Sequence, residues 1–358
     1  MENRVETHPH ADQSAETKRS GVVAAVLIIF LTLTYFLIQY DRSRDAEASL
    51  QVWYQAKRAG VLNEGDQYRI GIPFLAHFLK THTPLEMRQS IPMMQSLSFG
   101  AGLTALYLLL VTSSLFKDAG KARRLLARGT FFAAVQLPIL WIFPWGRQET
   151  LPTMAYLAVV SLVILEERIA LPLACLLAVL LSLIQSLART DATLVVGLAT
   201  MIAAVLFQFR RSRGSVALLG LLCGATGAAM QLYLQHLYPS LLPQQRATTL
   251  QLFRNLNPFV GPFHIPEFLT ALLPFFFSLL LIRRYRLRLD ATDKLLLLIA
   301  VIYLPIYIAF GILAEIRIYV PYLFLLSPVI AKLWTQFLSG ESGGSEIEPQ
   351  PTSTTLSG

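Results

Sequence analysis

Residues 295–334 read LLLLIAVIYLPIYIAFGILAEIRIYVPYLFLLSPVIAKLW. The first apolar run, 295–313, is 19 residues long and ends at Ala314; a second run begins at Ile318. A bilayer core of about 30 Å is crossed by roughly 20 apolar residues of helix, so each run is long enough to span once. Glu315 and Arg317 then occupy a tight turn between two membrane helices. Cutting the rest of the chain at charge clusters and at Pro or Gly gives ten candidate spans: 21–39, 91–115, 129–144, 151–165, 169–187, 192–209, 215–235, 267–282, 295–313 and 318–336. The third and fourth are short, so the expected count is eight to ten. The fold class expected is all-α, a polytopic helical membrane bundle.

Composition agrees with this reading. Of 358 residues, 54% are hydrophobic and 15% charged, and the mean hydropathy is +0.53. The net charge of +8 does not point to nucleic acid, because the basic residues punctuate apolar runs instead of forming an aromatic-interleaved basic domain. Cys175 and Cys223 both fall inside apolar runs and read as small buried hydrophobes, not as a disulfide. Lys18 and Arg19 precede the first run, and Ala46-Glu47-Ala48 imitates a cleavage site. That run exceeds a typical signal h-region, so it reads as a retained anchor.

Basic residues set the expected orientation. With the N-terminus inside, the inner connections hold Lys117, Lys121, Arg123, Arg124 and Arg128, then Arg168, then Arg210, Arg211 and Arg213, then Arg283, Arg284, Arg286, Arg288 and Lys294. The short outer connections hold only Arg147, Arg189 and Arg317. Both termini are therefore expected in the cytoplasm. The first outer loop, 41–90, carries seven basic residues of its own, so the later spans decide. The division expected is a cytoplasmic tail 1–20, one transmembrane domain 21–337 with long outer loops at 41–90 and 236–266, and a disordered polar tail 338–358. Within the first loop, LQVWYQAKRAGVL and PFLAHFL have helical apolar spacing and read as helices lying on or dipping into the membrane surface.

No P-loop, strand-borne GxGxxG, HExxH or CxxC occurs. The spans carry Gln136, Gln185, Gln208 and Gln231 in place of central carboxylates, which counts against an ion-coupled transporter. The three short outer turns each pair an arginine with an acid: Arg147 with Glu149, Arg189 with Asp191, Glu315 with Arg317. Residues two apart do not share a helix face, so these are not helical ion pairs. The plain reading is that turns need polar residues and that Asp191 caps a helix. The sharper one is that outer arginines, whose planar forks bind phosphate bidentately, converge on an anionic headgroup. Asp41, Asp45, Glu47 and Asp66 in the first loop are candidate general bases or ligands of a divalent cation, although any hydrophilic loop of this length contains acids. His77, His82, His236 and His264 lack metal-ligand spacing.

With an inner N-terminus, one span, a long outer loop opening YDRSRDAEASL, then YRIGIPFLAHFL, and a late EIRIYVPYLFLLSP, the chain resembles the C-superfamily of polyprenyl-phosphate-dependent membrane glycosyltransferases. The resemblance implies that Asp45 and Glu47 are the acidic pair, with Asp41 as its rival. It also implies that Arg69, Arg189 and Arg317 are ligands of the lipid-linked phosphate, with Arg147 and Glu315 candidates from the outer turns alone. The chain departs from the family pattern in having no Asp-x-Asp or Asp-Glu pair directly at the membrane exit, which leaves the base unassigned. The implied partners are the bilayer, a polyprenyl-phosphate sugar and a glycan, lipid or protein acceptor; the implied place is a bacterial inner membrane with its active face outward. Two alternatives stay open. One is an O-antigen polymerase or ligase-like protein using Arg246, Arg254 and His264; the other is a transporter or non-catalytic membrane component.

Overall fold

The computed structural model describes residues 9–61, 69–113, 116, 119–139, 149–237, 280, 283–284, 289–310 and 319–339. Among them every regular element is a helix: α1 (Pro9–Arg42), α2 (Glu47–Arg58), α3 (Gly71–His82), α4 (Met87–Val111), α5 (Lys121–Ile139), α6 (Thr150–Leu165), α7 (Leu171–Ala188), α8 (Thr190–Leu206), α9 (Arg213–Leu237), α10 (Ala291–Phe310), α11 (Val320–Leu325) and α12 (Ser327–Leu338). Four stretches among the described residues are long and apolar enough to cross a membrane: Gly21–Arg42, Met87–Val111, Leu171–Ala188 and Arg213–Leu237. Thr150–Leu165 and Thr190–Leu206 are shorter apolar helices.

Side-chain pairs fix how the helices run. Thr153 meets Gln185 and Tyr156 meets Ser182, so α6 and α7 are antiparallel. In α8 and α9, Thr190 bonds Gln231 and Gly197 packs on Gly224, again antiparallel. Gly102 of α4 packs instead on Met154 and Ala155 of α6, and Leu109 shares a cavity wall with Leu162; those two helices run parallel. α6 is the central element. Met154, Leu157, Ala158, Val160 and Ile164 of this helix are all completely buried, as expected for a helix apolar on every face.

α1 lies at the margin. Its Ala24, Ile28 and Tyr35 form a narrow buried stripe, with Tyr35 against Phe99 of α4 at 5.3 Å between ring centroids. Val22, Val26, Ile29, Phe30, Leu33 and Leu37 are exposed. A surface this apolar is incompatible with water and fits lipid tails, so the bundle is membrane-embedded.

α2 and α3 sit at one end of the bundle, against the start of α4; a Cβ on Gly71 would lie 3.0 Å from the Cβ of Leu187 at the end of α7. This is the first-loop end. The opposite, basic end is tied by Arg211, which donates to the carbonyls of Glu166 and of Ile169 (2.9 Å). It is also tied by Lys332 of α12, which reaches Asp290 at 3.2 Å and Asp293. A cavity of about 200 Å³ opens there between Thr112, Glu166, Arg210 and Asp290.

Candidate functional site

The first-loop end is built around one interruption in the helical chain. α7 ends at Ala188 and α8 begins at Thr190, leaving Arg189 alone in an extended conformation, φ −158° and ψ 104°. Because no helix runs through it, Arg189 can close onto the residue two further on. Its Nε donates to Asp191 Oδ1 at 3.1 Å and its Nη2 donates to Oδ2. Asp191 does not cap α8, whose N-cap is Arg189 and which has no side-chain cap bond. The pairing is thus neither of the arrangements expected from spacing alone: it is a fork-to-fork ion pair across a helix break.

Tyrosines line the inner side of that pair. The Tyr303 hydroxyl of α10 donates to Asp191 Oδ2 at 3.2 Å and accepts from Arg189 Nη2, whose guanidinium lies 5.6 Å from the Tyr303 ring centroid. Tyr303 stacks on Tyr322 of α11 at 3.9 Å, and Tyr319 completes the stack at 5.7 Å from Tyr322. Tyr319 donates to the Ala300 carbonyl at 3.3 Å. Below the break, Gln185 donates to Thr153 Oγ1 at 2.9 Å, joining α7 to α6. Desolvated polar groups are costly unless bonded in this way.

Arg69, just ahead of α3, comes to the same place from the first loop. It donates to Glu149 Oε1 at 2.8 Å, at the N-cap position of α6, and its charge is near enough to act on both Asp191 and Tyr303. Two guanidinium groups and two carboxylates from three remote segments therefore share one polar cluster. Chemically it offers bidentate donors suited to a phosphate and carboxylate acceptors suited to a hydroxyl.

The first-loop acids are dispersed. Asp41 is 72% exposed and pairs with Arg44 at 3.2 Å on the rim. Asp45 is exposed in the turn before α2. Glu47 is a clasp: Oε1 accepts from Lys80 of α3 at 2.5 Å and from Gln51 at 3.1 Å, while Oε2 accepts the Arg88 amide of α4 at 3.0 Å. Partial burial raises its carboxyl, but the bonds from Lys80, the Arg88 amide and Gln51 outweigh that and hold it below the ordinary carboxylate value. With both oxygens committed, Glu47 fits a joint between α2, α3 and α4 better than a base. Asp66, Arg147, Glu315 and Arg317 lie outside the described residues, as do Arg246, Arg254 and His264. His77 stacks on Tyr54 at 4.1 Å and His82 on Phe78 at 4.2 Å. Among the described residues no group of three His, Cys, Asp or Glu is placed to hold a metal ion.

Sequence reasoning missed the tyrosines and the Arg69–Glu149 bond. The three-residue spacing of Tyr319 and Tyr322, next to the charged stretch at Glu315 and Arg317, is the one signal in the sequence of a shared inward face. Comparison with protein-family models, with curated proteins and with solved structures finds no match.

Proposed function

We infer that the chain is a membrane glycosyltransferase that moves a sugar from a polyprenyl-phosphate carrier to an acceptor at the first-loop end. The observation that supports this reading is the meeting of Arg69 and Arg189 around Asp191, Tyr303 and Glu149. Both arginines belong to stretches that carry the family resemblance or its phosphate ligands. In this reading the carrier tail lies against the lipid-facing helices while its phosphate takes guanidinium donors. The sugar leaves by displacement at C1, and the arginines stabilise the charge gathering on the departing phosphate. Ten spans, cytoplasmic termini and an outward first-loop end in a bacterial inner membrane complete it.

The test is binding of polyprenyl phosphate to the detergent-solubilised chain, read by native mass spectrometry against the unphosphorylated polyprenol. The phosphate form is expected to bind, and Arg69→Gln to weaken it by about tenfold or more, the worth of a charged hydrogen bond. Equal retention of the uncharged alcohol, or indifference to Arg69→Gln, would overturn the reading.

A further inference from the structure

The carboxylates at the first-loop end differ in what they still have to give. Asp41 is on the open rim with Arg44, Glu47 has both oxygens taken, and the Glu149 side chain is 10% exposed beneath Arg69. Asp191 alone among the four combines a fixed frame with access. Its side chain is 39% exposed, whereas that of Arg189 behind it is 3% exposed. Arg189 grips both oxygens, Tyr303 adds a second donor to Oδ2, and among the described residues Oδ1 takes only the Nε hydrogen at 3.1 Å. An ionised carboxylate oxygen accepts about two hydrogen bonds, so Oδ1 can take another from the open side. A second observation marks the same spot. The Tyr322 hydroxyl is completely buried, stacked at 3.9 Å on Tyr303, and has no hydrogen-bond partner among the described residues. Such an orphan costs about 1–3 kcal/mol and is relieved when a polar ligand enters beside it.

We propose that Asp191, framed by Arg189 and Tyr303, is the carboxylate that receives the proton of the acceptor hydroxyl during sugar transfer, in place of any first-loop acid. This rests on the glycosyltransferase reading. The acceptor hydroxyl donates to Asp191 Oδ1 and its oxygen attacks the sugar C1. The new C1–O bond forms as the bond from C1 to the carrier phosphate breaks, and that bond's electron pair leaves on the phosphate. The proton passes from the acceptor oxygen to Asp191 and is lost to water through the exposed side. The hydroxyl becomes acidic only as its oxygen gains positive charge, so position counts for more than basicity.

The test uses the full chain reconstituted in vesicles of host lipid extract, with radiolabelled polyprenyl-phosphate hexose as donor. Label leaving the carrier and donor affinity are measured separately. Asp191→Asn is expected to lower turnover by about 100-fold or more, as loss of a general base does, with donor affinity changed by less than about threefold. The acid limb of the pH profile should vanish with it. Asp191→Glu keeps the charge and the ion pair but displaces the oxygens, and should slow turnover by about tenfold. If Asp191→Asn fails to fold, Asp191→Glu decides. Active wild-type protein with unchanged turnover in the Asp191 variants, and loss in Asp45→Asn or Glu47→Gln, overturns the assignment alone. A wild-type chain that neither binds donor nor releases label overturns the glycosyltransferase reading and the assignment with it.

Discussion

Lys332 brings a cation into the apolar last span because two carboxylates meet it there. Its side chain is 5% exposed; it lies 3.2 Å from Asp290 and also bonds Asp293, while the two aspartates bond each other's amides at the start of α10. Burial raises Asp290, and the Lys332 charge with its hydrogen bonds more than reverses that. Lys332→Met leaves the aspartates without their counter-charge and is expected to destabilise the protein by about 3–5 kcal/mol, the cost of orphaning a buried charge. Adding Asp290→Asn and Asp293→Asn should recover much of the loss. Denaturant unfolding of solubilised protein checks both, and a single variant as stable as wild type refutes the account. Asp290-x-x-Asp293 ahead of an apolar run is legible as a cap, but its partner lies 39 and 42 residues away, beyond any local pattern. Glu47 was legible as an acid at the right end of the molecule, not as a clasp. Its folded value lies below the ordinary 4.5. Its contribution is therefore present above that value and lost as pH falls through the lower, folded one. Limited proteolysis of the first loop should accelerate as the pH falls below 4.5, a step absent in Glu47→Gln. Equal sensitivity in the two proteins would show that the clasp is not the cause.

At the scale of elements, glycine decides how near α8 and α9 can come. α8 and α9 approach so nearly that a Cβ on Gly197 would lie 2.6 Å from the Gly224 backbone, while a Cβ on Gly224 would have 3.7 Å of room. Backbone cannot yield as a flexible side chain can. Gly197→Ala should therefore cost about 1–3 kcal/mol from overpacking. Gly224→Ala should be neutral or stabilising by up to about 1 kcal/mol through helix propensity. Melting temperatures of the two variants, shifted in opposite directions, are the expected result; equal shifts would mean that the helices slide apart freely. The elements themselves were largely legible: expected span 151–165 became Thr150–Leu165, and 169–187 became Leu171–Ala188. The last expected span, 318–336, is instead two pieces, Val320–Leu325 and Ser327–Leu338. Pro328 has no backbone N–H to donate to the carbonyl four residues back, which interrupts the hydrogen-bond ladder at Leu326 although Leu326 keeps helical dihedrals, φ −79° and ψ −11°. The apolar pattern passes unbroken across that point, so hydropathy alone reads one helix. Likewise α1 extends back to Pro9, beyond the apolar run where the span was expected to begin.

For the whole molecule, charge sorting and packing agree on which segments share an end. Arg210 and Glu167 meet at 3.8 Å, and Arg211 and Lys332 hold their partners, at the end where the basic connections were expected. Arg69, Glu149 and Arg189 gather at the other. The pairing of those ends was legible because apolar runs of spanning length force the chain to alternate sides. The meeting of Arg69 with Glu149 was not, because it depends on how three loops fold over the bundle. The positive-inside preference then makes a definite forecast about orientation. In a background with Cys175→Ala and Cys223→Ala, single cysteines at Asp45 or Thr83 should react with a membrane-impermeant maleimide added to intact spheroplasts. Cysteines at Arg168 or Ser212 should react only after permeabilisation. All four positions are exposed in the fold, so access to reagent, not burial, governs labelling. The reverse pattern would place the Arg189–Asp191 cluster in the cytoplasm, where an outward-facing acceptor could not reach it. Labelling at both ends in intact spheroplasts would mean mixed insertion, and the seven basic residues of the first loop would then be the cause to test by substitution.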